Sequence, residues 1–285
     1  MNTGTSQDAA RCELIGHLAK TAVSAGLTIM RHYEAGCAVK TKPDQSPVTA
    51  ADADAEAIIL RDLAELAPDV PVIAEEAMAA GDVPDTAGRF FLVDPLDGTK
   101  EFVERRDDFT VNIALVEHHS PSLGVVYAPA HRQLYVGDVM AGVAWTATVD
   151  ADGTIGKPAP LRIRACPTGD LSVVASKSHN TPETDAYLAQ FQVGERVSCG
   201  SSLKICRIAE GRADLYPRLG PTCEWDIGAG DAVLRAAGGR LLAPDGELMR
   251  YGKPDFFNPG FVAAGDLAPT PIEPFMRVQA RAPYP

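Results

Sequence analysis

The chain has 285 residues, of which 46% are hydrophobic and 22% charged, a composition that excludes a largely disordered or membrane-embedded protein. Its 38 acidic residues outnumber the 26 basic ones, and the formal net charge of −12 argues against nucleic acid or an anionic membrane surface as the partner. An acidic protein can still bind phosphate groups if it recruits cations.

Six cysteines are scattered along the chain without a Cys-x-x-Cys pair or a His at zinc-ligand spacing. This pattern indicates buried thiols in a reducing compartment and gives little support to a redox or zinc protein. The first residues form no signal peptide, and no segment approaches the roughly 20 apolar residues that span a bilayer. The cytoplasm is therefore the expected location.

Residues 9–33 carry apolar side chains at helical spacing and predict a long first helix that Gly36 would end. A polar loop follows, and a second helical pattern ends before Pro68. Short apolar runs then predict strands at residues 72–74, 90–93, 111–116, 123–127, 132–136 and 143–148. The first half is thus predicted to be α+β, with two helices before a mostly antiparallel sheet.

Two Gly and two Pro in residues 150–160 predict a domain boundary, which divides the chain into residues 1–152 and 153–285. Beyond it, predicted strands alternate with predicted helices, so the second half is expected to be α/β. One helix should begin at Thr181, a good N-cap residue followed by Pro182 at the first helical position. The predicted strands cover residues 171–175, 213–216 and 261–264, and two further helices begin near Ser201 and Trp225.

Residues 93–99 (VDPLDGT) place two carboxylates, Asp94 and Asp97, three positions apart on a turn shaped by Pro95 and Gly98. Such a turn can direct both carboxylates to one point. Mg²⁺ is usually bound by one or two carboxylates together with substrate phosphate. An ordinary Asp/Pro/Gly turn explains these residues equally well.

Two further acidic features favour the metal site. Glu75 and Glu76 follow a predicted strand, and Asp226 stands at the start of an apolar helix. Taken singly, the glutamates fit a solvated loop and Asp226 fits a carboxylate stabilised by the helix dipole. The three features together favour a shared metal-binding role.

In order and separation, these segments resemble the inositol monophosphatase-like superfamily of Mg²⁺-dependent, lithium-sensitive phosphatases. The resemblance covers nearly the whole chain and implies a layered αβαβα sandwich. It rests on residues 73–76 (IAEE), 93–99 (VDPLDGT), 225–230 (WDIGAG) and 237–239 (AGG).

Within the superfamily, the chain is more similar to the 3'(2'),5'-bisphosphate nucleotidases of the CysQ type than to inositol monophosphatase proper. The discriminating residues are 46–52 (SPVTAAD), 99–102 (TKEF), 176–179 (SKSH), 200–204 (GSSLK), 215–218 (LYPR) and 258–261 (NPGF).

The resemblance implies two Mg²⁺ sites, with a third left open. Glu75, Asp94 and the carbonyl of Leu96 would bind one ion, and Asp94, Asp97 and Asp226 the second. The implied catalytic residues are Thr99, Asp94 and Glu76, with the Thr99 hydroxyl orienting the attacking water. The proton acceptor for that water stays open between Asp44 and Asp52.

The substrate contacts implied by the resemblance lie on several loops. Lys204 could supply a point charge for a second phosphate, beside a turn that opens a helix. His179 could stack on the base or bond the ribose, with a surface histidine as the less favoured alternative, and Lys100 could contact substrate, with a salt bridge as its alternative. The full implied set is Glu75, Leu96, Asp97, Gly98, Thr99, Lys100, Ser176, His179, Gly200, Lys204 and Asp226.

The implied function is Mg²⁺-dependent removal of the 3'-phosphate of adenosine 3',5'-bisphosphate, which yields AMP and phosphate and supports sulfate assimilation. Inositol phosphate and fructose 1,6-bisphosphate are the alternative substrates. A non-catalytic nucleotide- or metal-binding regulator is the alternative from another class, although every expected ligand carboxylate is present.

The expected partner is therefore a small phosphorylated nucleotide, with no nucleic acid and no transmembrane segment, and the chain is expected to be a monomer or homodimer. Similar proteins are also found at the periphery of the inner membrane. The sequence contains no basic amphipathic helix that would bring the chain there.

Overall fold

The structure, a computed structural model, describes residues 3–36, 39–41, 47–81, 83–86, 88–176 and 181–276. Two main sheets alternate with three helical layers, which confirms the αβαβα sandwich implied by the resemblance, and two further sheets have two short strands each. No helix in these ranges is long and apolar enough to cross a membrane.

The first half builds the larger sheet. Its elements are α1 (Thr3–Ala35), β1 (Val39–Thr41), β2 (Pro47–Thr49), α2 (Ala50–Leu66), β3 (Val72–Ala74), α3 (Glu75–Ala79), β4 (Arg89–Asp97), α4 (Thr99–Val103), β5 (Thr110–Glu117), β6 (Ser120–Ala128), β7 (Gln133–Asp138), β8 (Val143–Thr148) and β9 (Ala159–Pro160). Strands β3 to β9 pair in sequence order, parallel between β3 and β4 and antiparallel thereafter. The predicted antiparallel sheet is confirmed, and β9 carries it past residue 152.

Alternation along β4 assigns its side chains to two cores. Phe91 and Val93 pack under α1 and α2, whereas Phe90 and Leu92 face the opposite core. This is the period of two that a strand covered on both faces requires. Each of these side chains is fully buried, which stabilises the fold by roughly 1.5–3 kcal/mol per large apolar residue.

The second half builds the smaller sheet. Its elements are β10 (Leu171–Ser176), α5 (Pro182–Leu188), β11 (Val193–Cys199), α6 (Leu203–Ala209), β12 (Leu215–Arg218), β13 (Thr222–Cys223), α7 (Glu224–Ala236), β14 (Arg240–Leu242), β15 (Phe257–Asn258) and β16 (Phe261–Ala264), with 3₁₀ turns at Pro254–Phe256 and Glu273–Phe275. The five-stranded order is β11-β10-β12-β16-β14, with parallel pairs among the first three strands. Helices α5 and α6 connect those parallel strands, as the predicted α/β pattern requires.

The predicted start of α5 is confirmed, because the Thr181 hydroxyl accepts a hydrogen bond from the Thr184 amide at 3.3 Å. Strand β11 has no counterpart among the sequence predictions. It is an edge strand with exposed Glu195 and Arg196, so it lacks the apolar run by which the other strands were predicted.

Helix α7 lies between the two sheets and touches the larger one backbone to backbone. A Cβ atom at Gly124 would lie 2.3 Å from the carbonyl oxygen of Ala229, and one at Gly137 would lie 2.5 Å from Cα of Val233. Only glycine permits so close an approach of strand to helix. Gly124 and Gly137 therefore determine the distance between α7 and the larger sheet.

Candidate active site

A bulge at the end of β4 shapes the first part of the site. Asp94 pairs with Asn112 and Asp97 with Thr110, so two residues of β4 lie opposite a single residue of β5. The sequence-predicted turn is thus a bulged strand end. The next residue, Gly98, has φ +94°, and a Cβ there would lie 3.0 Å from the carbonyl oxygen of Asp108. Helix α4 begins immediately afterwards.

An open pocket of about 300 Å³ lies at this strand end. Most of the sequence-predicted site residues line it. They are Glu75, Asp94, Leu96, Asp97, Gly98, Thr99, Lys100, Gly200, Lys204 and Asp226.

Three predicted residues are not brought to the pocket by the described structure. Glu76 is not among the lining residues, and its backbone amide donates to Oε2 of Glu56 at 3.0 Å. Ser176 ends β10, but its side chain is not among the described ones. His179 lies outside the described residues, as does Asp44.

Four acidic side chains of the pocket, Glu75, Asp94, Asp97 and Asp226, form what we call the carboxylate wall. Backbone amides orient three of them: Leu96 donates to Asp94 at 3.0 Å, Ser202 to Asp97 at 2.8 Å and Cys223 to Asp226 at 2.8 Å. Each of these bonds uses one carboxylate oxygen. The main chain thus helps to orient three of the four acids, and the hydroxyls of Ser201 and Ser202 also donate to Asp97.

The carboxylate wall has more negative charge than nearby cations compensate. Asp94 is 1% exposed, and its burial, followed by the charges of Glu75 and other acidic neighbours, raises its pKa well above the usual value. Burial, followed by Asp97 and Glu75, raises the pKa of Asp226 to about 8, and Arg218 offsets only part of this. Carboxylates crowded in this way are stabilised by a shared cation.

The donor set fits a hard divalent cation, because all of its ligand atoms are oxygens. Together with the carbonyl of Leu96, the wall offers five oxygen-bearing groups around one pocket. In the described ranges, no three acidic, His or Cys side chains already stand at metal-ligand spacing. The fit thus rests on donor chemistry and charge, and not on a preformed cage.

Thr99 reaches a buried carboxylate behind the wall. Its Oγ1 lies 3.1 Å from Oδ1 of Asp52 and 3.1 Å from the carbonyl oxygen of Leu96. Asp52 is 2% exposed and is held by the amide and hydroxyl of Thr49, each at 2.8 Å. Burial raises the pKa of Asp52, and the Thr49 hydrogen bonds oppose that rise. Of the two acceptors left open by the sequence, the structure places Asp52 beside Thr99.

The second half of the chain contacts Asp97 directly. Ser201 Oγ donates to Asp97 Oδ2 at 2.5 Å, and Ser202 Oγ donates to the carbonyl oxygen of Asp226 at 2.6 Å. Ser201 adopts φ +52°, a left-handed conformation that a non-glycine residue keeps only where its surroundings enforce it. Two acidic residues of the wall are thus joined through one turn.

Three basic side chains line the same pocket, and two of them, Lys204 and Arg218, form what we call the cationic wall; Lys100 is the third. Lys204 is 6% exposed, and its Nζ lies 5.7 Å from the ring centroid of Tyr216. Arg218 donates from Nη2 to the carbonyl oxygen of Pro221 at 3.1 Å, while its Nε is buried without a hydrogen-bond partner among the described residues.

The sequence alone gives Arg218 no role, because residues 215–218 enter only as part of the resemblance. An arginine at the end of a largely buried strand is nevertheless a signal, since it is unusual without an anionic partner.

Two amides of the turn at residues 200–202 already donate to carboxylates. Gly200 donates to Oδ2 of Asp108 at 3.0 Å, and Ser202 donates to Asp97. Side-chain positive charge at this end of the pocket is available from Lys204 and Arg218.

The model of the inositol monophosphatase family matches residues 12–276. The 3'(2'),5'-bisphosphate nucleotidase CysQ of Salmonella typhimurium is 42% identical over 251 residues, which cover 87% of this chain and 98% of that protein. The protein of the same name from Haemophilus influenzae is 30% identical and is matched over 93% of its length, against 89% of this chain.

Among solved structures, CysQ from Bacteroides thetaiotaomicron has a TM-score of 0.73 and 37% identity, with 88% of this chain and 97% of that chain covered. The inositol monophosphatase of Thermotoga maritima has a TM-score of 0.68 at 23% identity, with coverage of 87% and 91%. The second likeness concerns the fold alone.

Proposed function

The chain belongs to the inositol monophosphatase family, whose members are metal-dependent phosphatases, and from this premise we propose that it is a 3'(2'),5'-bisphosphate nucleotidase. Its substrate would be adenosine 3',5'-bisphosphate, from which it releases the 3'-phosphate to leave AMP. The relatives with that printed activity match the chain almost from end to end, which supports the proposal.

The observation that carries the substrate assignment is the pairing of two walls in one pocket. The carboxylate wall suits a metal-bound phosphoryl group, and Lys204 and Arg218 suit a second anion. The buried, unpartnered Nε of Arg218 favours an anionic partner in particular, because an unsatisfied buried donor destabilises the free protein. A substrate with two phosphates satisfies both walls.

The metal would be Mg²⁺, bound by Glu75, Asp94, the carbonyl of Leu96, Asp97 and Asp226, with two or three ions per site. When bound, Mg²⁺ supplies charge stabilisation of the phosphoryl oxygens and lowers the pKa of a coordinated water. Asp94 would serve both principal sites, and its complete burial agrees with that central position.

The remaining chemistry is assigned to Thr99 and Asp52. The Thr99 hydroxyl would accept a hydrogen bond from the attacking water and donate its own proton towards Oδ1 of Asp52. Burial makes Asp52 a better proton acceptor than an ordinary carboxylate, because it raises the pKa. The Thr49 contacts hold Asp52 in the orientation that this transfer needs.

The decisive experiment compares kcat/KM across four phosphate esters with Mg²⁺ present: adenosine 3',5'-bisphosphate, 3'-AMP, inositol 1-phosphate and fructose 1,6-bisphosphate. The bisphosphate nucleotide should be hydrolysed with the highest kcat/KM. Faster phosphate release from inositol 1-phosphate or fructose 1,6-bisphosphate would overturn the substrate assignment and leave the family membership intact. Clearance of the bisphosphate nucleotide would place the enzyme in support of sulfate assimilation.

A further inference from the structure

Asp108 stands between two segments of the site without lining the pocket itself. Its carbonyl oxygen would lie 3.0 Å from a Cβ at Gly98 and 2.9 Å from a Cβ at Gly200. Both glycines thus approach the same residue closely. Gly98 precedes the Thr99 helix, and Gly200 opens the turn that leads to Lys204.

The two carboxylate oxygens of Asp108 contact different segments of the chain. Oδ2 accepts the Gly200 amide at 3.0 Å, and Oδ1 lies 3.1 Å from Nε2 of His131. His131 belongs to the turn between β6 and β7, so it ties the carboxylate to the larger sheet. Asp108 therefore connects that sheet to the main chain at Gly200.

The same turn is held at its other end by Asp97, through Ser201 and Ser202. Two aspartates from the first half of the chain thus bracket three residues of the second half. Lys204 follows in the first turn of α6, so its position depends on the conformation of the turn at residues 200–202.

We propose that Asp108 is a positioning residue that fixes the turn at residues 200–202 and thereby holds Lys204 at the subsite for the second phosphate. His131 orients the Asp108 carboxylate. The inference rests on the proposed function for the identity of the ligand, but the geometry of the turn does not depend on it.

Hydrogen exchange tests the geometry without any substrate. In D108A, amides of residues 199–204 should exchange about tenfold faster or more, since a hydrogen bond to a charged group is lost. D108N keeps an acceptor oxygen for Gly200 and should restore protection. Asp107→Ala is the matched control, because it removes a neighbouring carboxylate that accepts from Tyr33 Oη and does not line the pocket. Unchanged exchange in D108A would overturn the proposal whatever the enzyme hydrolyses.

Kinetics test the consequence for the ligand. With adenosine 3',5'-bisphosphate, D108A should raise KM about tenfold with kcat within about threefold, and with 3'-AMP KM should change little. D108N should behave like the unmodified enzyme. Faster exchange with equal KM changes for both substrates would refute the link to Lys204.

Gly200→Ala changes the other partner of the same contact, and it replaces D108A as the test variant if D108A does not fold. Its Cβ would lie 2.7 Å from Cβ of Asp108, so the turn has to shift. The same selective rise in KM is expected, and an unchanged KM would count against the proposal. If instead the proposed function is wrong, the unmodified enzyme itself will hydrolyse the bisphosphate nucleotide slowly.

Discussion

The two walls of the pocket are built in different ways. Each of three acids in the carboxylate wall accepts a backbone amide, so the main chain fixes its direction. In the cationic wall, Lys204 lies over the ring of Tyr216, and Arg218 interacts with Tyr216 and the carbonyl oxygen of Pro221. Backbone amides therefore orient the wall assigned to chemistry, whereas an aromatic side chain and a carbonyl oxygen support the wall assigned to recognition. Substitutions in the carboxylate wall should lower kcat, and substitutions in the cationic wall should raise KM.

The largest effect is expected from Asp94→Asn. The amide keeps the size of the side chain and removes the charge at the centre of the carboxylate wall, so kcat/KM should fall at least about 10³-fold. Mg²⁺-dependent phosphate release measures this directly. If most of the Mg²⁺-dependent activity persists in this variant, the metal mechanism is wrong.

Asp52→Asn should have the next largest effect. Asparagine can keep contacts with Thr49 but is a poor proton acceptor, so kcat should fall about 10²-fold with little change in KM. Steady-state kinetics with the bisphosphate nucleotide give both constants. Asp54→Asn, on the exposed side of the same helix, is the control and should stay close to the unmodified enzyme. Equal activity of the two variants would remove Asp52 from the mechanism.

Arg218→Gln and Lys204→Met should act on binding. Each removes one charged contact to the second phosphate, so KM for adenosine 3',5'-bisphosphate should rise about 10- to 100-fold. KM for 3'-AMP should change far less, because that ester has no second phosphate. A similar rise in KM for both esters would show that the cationic wall does not discriminate between them.

The smallest effect concerns Glu56, which accepts the amide of Glu76, the residue after Glu75 of the carboxylate wall. Burial is the main cause that raises its pKa from 4.5 to about 7. Below pH 4.5 the group is protonated in both folded and unfolded chains; between 4.5 and about 7 only the unfolded chain is ionised, so stability falls as pH rises. Glu56→Gln should therefore gain stability relative to the unmodified protein across this window and hold that gain above pH 7.

Urea unfolding at a series of pH values, with a chelator present, measures this difference. A constant difference between Glu56→Gln and the unmodified protein from pH 4.5 to 8 would contradict the raised pKa.

Local sequence patterns predict much of the fold. The Thr181 cap, the apolar runs of the larger sheet and the start of α7 all follow from side chains close together in sequence. Strand β11 does not, because its place at the edge of a parallel sheet is set by pairing with β10 and leaves most of its residues polar and exposed.

The candidate site likewise contains residues that local sequence motifs predict and residues that such motifs cannot predict. The four acids and Thr99 follow from spaced motifs, and the structure gathers them at one pocket. The contact between Thr99 and Asp52, the place of Arg218 in the pocket and the contact between Asp108 and Gly200 depend on residues that are distant in sequence. The Asp108 contact spans 92 positions, and no local spacing rule can reveal it.

The glycine contacts of α7 have a consequence for motion. A helix that touches two strands backbone to backbone, as at Gly124 and Gly137, cannot slide or roll without steric overlap. The same helix packs against the second sheet, so the two sheets have no free hinge between them. Opening of the pocket to admit a nucleotide is then expected to involve the short loops around its mouth and not a movement of one sheet against the other.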